Sequence, residues 1–433
     1  MTAQENFDDK VLKAHKKHSG KIEIFGKVPI LTNEDLLIYY TPGVAQVSLA
    51  IKNNISNSYE YTNRANTVAI VTDGSRVLGL GDIGPEAEMP VIEGKSLLFK
   101  KFGGIDAIPL AIRSTGEDDV VKFTKMLEPS VAAINVEDIK SPKVFNITKR
   151  LEEEMHIPVF HDDKDGTAIV ARAALINALK LSKKRIDSAK IVINGAGSAG
   201  FGIANILHQS GASDIVVCDT HGAIYKNRTE DMNDFKEELA QYTNKNTVKG
   251  ELQEVAEGAD VIIGVSSKGA FSQEIINKMN DKPIVFALAN PYPEISYHDA
   301  KSAGAFIIAT GRSDTPNQVN NYIAFPGFFR GVLSSRARTI TKEMIIAASD
   351  AIAKSVKKKQ LSTDYIIPNI SNPMDYTAMT VRIAISVAEA ALKSGASSAP
   401  IDKTTVKKSI KEILRRYKKI EKYIDKFNKE SSN

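Results

Sequence analysis

A glycine-rich turn between a strand-like run and a helix-like run constrains the fold of this chain more than any other feature. Residues 191–194, Ile-Val-Ile-Asn, lead directly into the turn Gly195, Ala196, Gly197, Ser198, Ala199 and Gly200. Glycines here allow a tight turn and a close approach to a pyrophosphate, whose charge is favoured at a helix N-terminus. The context predicts a dinucleotide-binding unit, although a purely structural glycine turn would leave the same pattern.

An acidic residue ends the next strand-like run, residues 214–219. Asp219 follows Gly200 at the distance where a carboxylate can bond the ribose hydroxyls of the adenosine half of a dinucleotide. A carboxylate there repels a ribose 2′-phosphate, so Asp219 favours NAD over NADP. NADP stays open, because three residues just downstream could screen or bind that phosphate: His221, Lys226 and Arg228.

The second half of the chain alternates strand-like runs with segments long enough for crossover helices. The runs are 190–194, 214–219, 259–265, 282–288 and 305–309. Short apolar runs separated by helical segments are typical of parallel strands buried on both faces. The prediction is a doubly wound, Rossmann-type dinucleotide-binding domain over residues 161–395.

The first half also alternates helix-like and strand-like patterns. Residues 68–71 and 132–136 are short apolar runs that suit buried strands. An N-terminal α/β substrate domain is therefore predicted over residues 1–160. An Ala- and Leu-rich helix over 167–181 would connect it to the second domain.

Composition limits the class of protein. With 42% hydrophobic and 25% charged residues, each half can bury a core as a globular domain does. The single cysteine, Cys218, cannot form an internal disulfide, and the polar residues 1–6 lack a secretory pattern. No run approaches the roughly 18 consecutive apolar residues of a membrane span. A cytoplasmic protein without a membrane segment is expected.

The positive charge is concentrated at the C-terminus. Residues 401–433 hold eleven Lys/Arg and five Asp/Glu, against a net charge of +5 for the whole chain. Apolar residues recur there at helical spacing, so residues 396–433 are predicted to form a basic amphipathic helical tail. Nucleic acid or membrane binding stays open, and the favoured interpretation is packing of the apolar stripe on the body or on a sister subunit.

Two acidic pairs, Glu137-Asp138 and Asp162-Asp163, each follow a strand-like run. Hard cations such as Mg²⁺ and Mn²⁺ prefer oxygen ligands, and a few carboxylates leave coordination positions free for substrate. Such pairs are more often surface turns or helix caps than ligands. The pairs by themselves therefore indicate a metal site only weakly.

From residue 39 to about residue 330 the chain resembles the malic enzyme family, in segments ordered as that family has them. The segments include residues 40–45 (YTPGVA), 71–82 (VTDGSRVLGLGD), 90–95 (PVIEGK), 286–291 (FALANP), 317–321 (NQVNN) and 325–327 (FPG). The acidic pairs and the glycine turn stand between them in the same order.

The resemblance implies catalytic roles for three side chains. Lys95 corresponds to the family's general base and Tyr40 to its general acid. Asp162 is implied as a catalytic group beside the metal ligands and as the partner of Lys95. Without the resemblance, Lys95 would be an ordinary surface lysine and Tyr40 an aromatic at the edge of the core.

The resemblance also implies ligands for a metal ion and for substrate. Glu137, Asp138 and Asp163 match the family's metal ligands. Arg76 matches a residue that grips a malate carboxylate, as a guanidinium can do with two hydrogen bonds. Asn290 and Asn320 match substrate-contacting amides, with Asn290 also at the cofactor, and either could instead be a turn residue.

The function implied is oxidative decarboxylation of malate to pyruvate and CO₂ with reduction of NAD, or of NADP, and with Mg²⁺ or Mn²⁺. Decarboxylation of oxaloacetate and a homodimer or larger assembly are implied as well, and neither nucleic acid nor membrane is expected as a partner. Some relatives carry an acyltransferase-like C-terminal extension. The short type is expected here, without regulation through such an extension.

Two alternatives stay open. A malolactic-type enzyme would retain the cofactor and release lactate from nearly the same sequence. A non-catalytic dinucleotide-sensing or RNA-binding protein would use the glycine turn for a ligand and the basic tail for a partner. The set of Tyr40, Lys95 and the carboxylates argues against the second alternative, because a sensor has no need of them.

Overall fold

The computed structural model describes residues 3–369, 373–398 and 402–430. The first half contains α1 (Ala3–His18), α2 (Asn33–Tyr39), α3 (Val44–Asn53), α4 (Ser58–Tyr61), β1 (Thr67–Thr72), α5 (Pro85–Gly103), β2 (Asp106–Ala111), α6 (Glu117–Met126), β3 (Ala133–Val136), α7 (Lys143–Glu154) and β4 (Val159–His161). A π-helical turn, Asp162–Gly166, then leads into α8 (Thr167–Ser182).

The second half begins with the glycine turn between its first strand and helix. Its elements are β5 (Lys190–Asn194), α9 (Ser198–Gln209), β6 (Asp214–Asp219), β7 (Gly222–Ala223), α10 (Asp234–Tyr242), α11 (Leu252–Val255), β8 (Val261–Gly264), α12 (Gln273–Asn277), β9 (Ile284–Ala287), α13 (Tyr297–Ser302), β10 (Ile307–Thr310), α14 (Phe325–Ser334), α15 (Lys342–Ala353), α16 (Pro373–Lys393) and α17 (Lys403–Glu430).

The first sheet has four parallel strands in the order β2-β1-β3-β4. Every residue of β1 and β3 is buried, as expected for inner strands covered by helices on both faces. The chain moves from β1 outward to β2 and then returns to the other side of β1 as β3. The carboxyl ends of β1 and β3 therefore flank a topological switch point, where ligands bind in open α/β sheets.

The second sheet has six strands in the order β10-β9-β8-β5-β6-β7. All its pairs are parallel except the short edge strand β7, which runs antiparallel to β6. Its switch point lies between β5 and β8, and the glycine turn begins at the end of β5. The predicted fold class, an α/β N-terminal domain followed by a doubly wound Rossmann-type domain, is confirmed.

The predicted strands lie within a few residues of their expected bounds, whereas β2 of the first sheet and the two-residue β7 of the second were not predicted. β2 carries Pro109 and is only partly buried, so its apolar pattern is broken. β4, three residues long, corresponds to the strand-like run expected before Asp162. The predicted domain limits, residues 1–160, 161–395 and 396–433, stay a prediction.

Phenylalanine side chains pack α14, the helix that follows the second sheet, against the first domain. The ring of Phe325 lies 4.6 Å from that of Phe99 on α5, and the ring of Phe328 lies 4.8 Å from that of Phe160 on β4. All four side chains are almost completely buried. Edge-to-face and offset ring pairs of this kind add to the stability that burial itself supplies. The chain thus returns after its second sheet to complete the core beneath α5.

The basic tail packs on the body. The apolar side chains of Val406, Ile410 and Leu414 on α17 are buried against Ala384 and Ala388 of α16. The first part of the predicted apolar stripe therefore packs on the body, whereas Ile420 and Ile424 further along α17 are 39% and 37% exposed. The lysines near the start of α17 stay at the surface, where Lys403 and Lys407 pair with Glu389.

Throughout the part of the chain that the structure describes, every helix is too short or too polar to cross a bilayer.

Candidate functional site

The loops that follow β1 and β3 join at the switch point of the first sheet. Glu137 donates its backbone N–H to Val71 O at 2.9 Å, which extends the ladder past the end of β3. Arg76 donates its N–H to Asp138 O at 3.0 Å. Asp138 has a φ of 47°, a left-handed conformation that an aspartate tolerates better than most residues. These bonds place Glu137 and Asp138 beside the Arg76 loop.

Lys95 lies at the centre of the buried polar groups. It projects from α5, is 7% exposed, and donates from Nζ to Glu137 Oε2 and to Asp162 Oδ2, the latter at 2.5 Å. Asn135, a polar residue inside β3, donates to the same Glu137 oxygen at 2.7 Å. The ring of Phe325 lies 4.9 Å from Nζ. Lys95 and Asp162, predicted as partners, are in direct contact.

The π-helical turn Asp162–Gly166 connects this site to the second domain. A Cβ at Gly166 would lie 2.2 Å from Asp162 Oδ1, and one at Gly202 on α9 would lie 2.2 Å from Lys164 O. Only glycines allow these approaches, so the acidic turn packs directly on the helix that follows the glycine turn. The lysine site and the dinucleotide fingerprint therefore belong to one continuous region.

Burial and mutual repulsion disturb the carboxyl groups of this region. Burial, with the charges of Asp162 and Asp163, raises the pKa of Glu137 to about 8 against the opposing effect of Lys95. Burial, Glu137 and Glu88 raise the pKa of Asp138 to about 9. Burial, followed by Asp138 and Asp162, raises the pKa of Asp163 to about 7, and Arg76 is among the groups that oppose the rise.

Burial is the main cause of these raised pKa values, and repulsion between neighbouring carboxylates adds to it, because the carboxylates outnumber the cations Lys95 and Arg76. A dication would relieve that repulsion, and carboxylate oxygens are its preferred ligands. The residues present therefore fit a divalent metal ion, with Glu137, Asp138 and Asp163 as the predicted ligands.

The predicted ligand set is looser than a closed metal cage. Among the described residues, only Asp219, His221 and Asp231 form a group of three acidic or histidine side chains whose ligand atoms all lie within 4.8 Å of one another. That group belongs to the second domain and does not include the predicted ligands. Glu137 uses one oxygen for Lys95. The ligand assignment of Glu137, Asp138 and Asp163 stays a prediction.

Three further side chains of the site were not predicted from the sequence. Glu88 on α5 is completely buried, and burial is the main reason that its pKa rises to about 7. Asn321 donates to Asp162 Oδ2, the oxygen that also contacts Lys95. Asn135 could have been predicted as a site residue, because an amide inside a buried apolar strand needs a hydrogen-bond partner. Asn321 lies in the segment 317–321 that resembles the family, but no role was predicted for it.

Tyr40 does not join this cluster within one chain. Its side chain is 67% exposed, and it ends α2, a helix without a buried residue. Among the described residues, its phenol makes no hydrogen bond to Lys95 or to the carboxylates. Within one chain, the predicted general acid Tyr40 is therefore exposed, whereas the predicted general base Lys95 is buried.

The three predicted substrate residues lie at turns. Arg76 is exposed, at the rim beside Asp138. Asn290 donates its side-chain amide to Leu288 O at 3.4 Å in the turn after β9. Asn320 accepts from Tyr322 N at 3.2 Å and caps a short 3₁₀ helix, and its neighbour Asn321 is the residue that contacts Asp162. Both asparagines thus have turn roles, and their substrate roles stay predictions.

The glycine turn has the geometry that its sequence predicts. Gly195 has a φ of 118°, a conformation open to glycine, and its N–H bonds Cys218 O at 2.8 Å. Across the switch point, Asn194 donates to Ser266 Oγ at 2.9 Å. A Cβ at Gly200 would lie 1.7 Å from Gly195 O, whereas a Cβ at Gly197 would have no atom within 4 Å.

This difference leads to a prediction about two glycines of one turn. Gly200→Ala is expected to lower the free energy of unfolding by about 1–3 kcal/mol or more, because the methyl group would overlap a backbone oxygen that cannot move aside. Gly197→Ala, the matched control, is expected to change it by well under 1 kcal/mol. Denaturant unfolding of both variants without cofactor measures this, and equal losses would contradict the geometry.

Asp219 stands where the sequence predicted, at the end of β6, and is held by two cations. Arg228 binds both of its oxygens, and Lys236 lies 2.8 Å from Oδ2. Burial opposes the charged form, but the hydrogen bonds from Arg228 and Lys236 outweigh it and lower the pKa of Asp219 to about 2. The carboxylate is thus ionised and paired before any ribose approaches.

Comparison with known proteins covers nearly the whole chain. A family model described as "Malic enzyme, N-terminal domain" matches residues 19–118, and one described as "Malic enzyme, NAD binding domain" matches residues 165–392. The chain is 48% identical to the "Bifunctional malic/malolactic enzyme" of Bacillus subtilis, over 94% of this chain and 98% of that protein.

Two further similar proteins are also malic enzymes. The "NAD-dependent malic enzyme" of Geobacillus stearothermophilus is 47% identical, over 87% of this chain and 77% of that protein. The crystal structure of the malic enzyme from Pyrococcus horikoshii superimposes with a TM-score of 0.91 at 42% identity, covering 98% of this chain and all of that one.

Proposed function

Because this chain belongs to the malic enzyme family, we propose that it oxidises malate with a nicotinamide dinucleotide and decarboxylates the product to pyruvate and CO₂, with a divalent metal ion. Oxaloacetate decarboxylation is part of the same proposal. The observation that carries it is the buried amine of Lys95, on α5, between Glu137 and Asp162. Asp162 belongs to the turn that packs on α9, the helix after the glycine turn.

The chain's own side chains supply binding and proton transfer. Lys95 takes the proton from the C2 hydroxyl of malate, and Asp162 holds its amine in position. Burial favours the neutral amine, whereas Asp162 and Glu137 favour the charged one and raise the pKa of Lys95. The number of carboxylates in contact with the amine therefore determines whether it can act as a base.

Substrate binding and the final protonation complete the scheme. Arg76 binds a malate carboxylate, with Asn290 and Asn320 as further donors. A dication would be held by Glu137, Asp138 and Asp163 and would supply polarisation of the C2 oxygen, and the nicotinamide, when bound, would supply the hydride acceptor. Tyr40 delivers a proton to C3 of the enolate that remains after loss of CO₂.

The experiment follows reduced cofactor and pyruvate together from malate, after chelation of metal and with Mn²⁺ added back. Equal yields of the two products, dependent on Mn²⁺, are expected. Binding of the dinucleotide without turnover of malate or oxaloacetate, whatever ion is added, would refute the proposal and favour a non-catalytic sensor.

NAD is proposed as the preferred cofactor. The support is the ionised carboxylate of Asp219 at the end of β6, whose charge opposes a 2′-phosphate. Arg228 and Lys236 lie behind it and are already paired with it. Removal of the carboxylate would leave two cations facing the same place.

Asp219→Ser is therefore expected to raise kcat/KM with NADP by at least about tenfold and to lower it with NAD. A charge pair near the surface is worth up to about 4 kcal/mol, and about 1.4 kcal/mol is already a factor of ten. Steady-state kinetics with both cofactors measures the effect. The matched control is Asp231→Ser, which removes another carboxylate from Lys236. An unchanged ratio of the two kcat/KM values in Asp219→Ser would contradict the assignment.

A malolactic outcome is the second candidate, because the relative from Bacillus subtilis is a bifunctional malic/malolactic enzyme. In that case the reduced cofactor stays bound and returns its hydride to pyruvate, so lactate leaves and no free reduced cofactor accumulates. Quantifying lactate, pyruvate and reduced cofactor in one reaction separates the two outcomes.

A further inference from the structure

A carboxylate that the proposed reaction does not use lies buried beside the lysine site. Glu88, in the first turn of α5, is completely buried, and neither of its carboxylate oxygens has a hydrogen-bond partner among the described residues. Burial of a charged group without a partner costs free energy, and a cation bound nearby offsets that cost. Glu88 therefore needs a partner that the described side chains do not supply.

Glu88 lies on the same face of α5 as Lys95. The two residues are seven apart, which is about two helical turns, and Ile92 between them is buried on the same face. Two turns separate their Cα atoms by about 10 Å along the helix axis, a gap that two long side chains can bridge. The charges of Lys95 and of Glu137 both act on the Glu88 carboxyl group. Glu88 thus faces the buried polar groups around Lys95.

The start of α5 is fixed against the loop that carries Arg76. Gly84, which precedes α5, donates its N–H to Gly74 O at 3.3 Å, and a Cβ at Gly74 would lie 2.4 Å from Gly84 O. Only a glycine at position 74 allows this approach. Arg76, in the same loop, donates its N–H to Asp138 O. The first turn of α5 and the end of β3 are thereby tied to one loop, which places Glu88 near Asp138.

The carboxyl groups of Glu88 and Asp138 are direct neighbours. They lie within hydrogen-bonding reach of each other, and Asp163 is near enough for its charge to act on Glu88. Two ionised carboxylates cannot hydrogen-bond, because both are acceptors. Glu88 and Asp138 therefore repel each other when both are ionised, and a divalent cation between them would attract both.

The carboxylates are further apart than the ligands of a bound metal ion. No three of Glu88, Glu137, Asp138 and Asp163 have ligand atoms within 4.8 Å of one another in the part of the chain that the structure describes. Like charges in a buried site stay apart when no cation lies between them. Glu137 also uses one oxygen for Lys95. A fourth carboxylate at this place supplies oxygens in addition to those of the three predicted ligands.

We propose that Glu88 is a fourth carboxylate ligand of the divalent metal ion, beside Glu137, Asp138 and Asp163. This role rests on the proposed function, because the ion belongs to that function. Mg²⁺ and Mn²⁺ prefer oxygen ligands, and the oxygens of a buried carboxylate that accepts no hydrogen bond from a described residue are open to an ion. Glu88 thus binds the ion and does not stabilise the fold of the metal-free chain.

Titration of Mn²⁺ into the full-length protein, with neither malate nor dinucleotide present, tests the assignment. Glu88→Gln keeps the size of the side chain and removes its charge. It is expected to weaken Mn²⁺ binding by at least about tenfold, since groups one step further from a metal already contribute that much. Unchanged or tighter Mn²⁺ binding by Glu88→Gln would overturn the proposal.

The matched control is the same substitution two residues earlier on α5. Glu86 is exposed and pairs with Arg113 at the surface. Glu86→Gln should therefore bind Mn²⁺ as the wild type does. An equal loss of affinity in Glu86→Gln and Glu88→Gln would mean that any charge at the start of α5 acts on the ion, and the ligand role of Glu88 would be excluded.

Glu88→Asp separates direct ligation from the effect of charge alone. Aspartate keeps the negative charge but draws the carboxylate back by one methylene group. A direct ligand should then bind Mn²⁺ several-fold more weakly, because coordination distances vary by only about 0.2 Å. Wild-type affinity in Glu88→Asp would show that the charge acts from a distance, and the ligand role would be refuted.

Melting temperatures give a second readout that does not depend on activity. Without metal, Glu88→Gln loses no hydrogen bond to a described residue and should melt at or above the wild-type temperature. At a fixed Mn²⁺ concentration its melting temperature should rise less than that of the wild type, because a ligand stabilises the folded state according to its affinity. A lower melting temperature without metal, with an unchanged rise on addition of Mn²⁺, would show a purely structural role and contradict the proposal.

Failure of the proposed function gives a different result. Wild-type protein that binds no Mn²⁺ would refute both the metal-dependent reaction and the role of Glu88. Wild-type protein that binds Mn²⁺, with weaker binding in Asp163→Asn but not in Glu88→Gln, would refute the role of Glu88 alone.

Discussion

Lys95→Ala is expected to lower the rate of malate oxidation by about 10² to 10⁴-fold, the contribution typical of a positioned proton-transfer group. The buried amine contacts the carboxylates of Glu137 and Asp162, and a methyl group can neither replace its charge nor accept a proton. Single-turnover reduction of the cofactor, measured with malate and Mn²⁺, reports this step directly.

Two controls separate chemistry from folding in this variant. Lys101→Ala, on the same helix, removes a half-exposed lysine that pairs with Glu421 and should oxidise malate at the wild-type rate. Small primary amines added to Lys95→Ala should restore part of the activity, because they can occupy the vacated space and accept the proton. A Lys95→Ala variant that oxidises malate at an undiminished rate would exclude Lys95 as the base.

Asp163→Asn is expected to weaken Mn²⁺ binding by more than about 10–100-fold, the loss that groups one step further from a metal already produce. The substitution keeps the size of the side chain and removes a carboxylate from a buried cluster in which neighbouring carboxylates repel one another. Titration of Mn²⁺ into the protein without substrate measures the affinity, and malate turnover should fall with it.

The same turn offers a matched control for the metal experiment. Asp165→Asn removes a carboxylate two residues further on, which faces Lys164 at 3.6 Å. Mn²⁺ affinity should change little in that variant, provided that thermal unfolding shows it folded. Equal Mn²⁺ affinity in wild type and Asp163→Asn would remove Asp163 from the ligand set.

Local patterns were enough to predict the fold class. Short buried strands such as Lys190–Asn194, with a glycine turn after them, have a signature that depends on neighbours along the chain. The same is true of Asp219 at a strand end. The roles of Lys95, Tyr40 and the carboxylates came from the resemblance to a family, because nothing local distinguishes Lys95 from a surface lysine.

Contacts between segments that lie far apart in the chain could not be predicted from the sequence. Glu88, Asn135 and Asn321 come from a helix, a strand and a loop that only the folded chain brings to Lys95 and Asp162. The pairing of Asp219 with Arg228 and Lys236 depends in the same way on how residues 219–236 fold back on the end of β6.

The sequence alone determined the α/β fold class, the dinucleotide turn and the positions of the acidic side chains at the strand ends, since periodicity and glycine placement act over a few residues. Tertiary structure alone decided which of those groups touch: Lys95 with Glu137 and Asp162, but not with Tyr40. The physical reason is that sheet order and helix packing fix distances between residues far apart in the chain, and periodicity does not encode those distances.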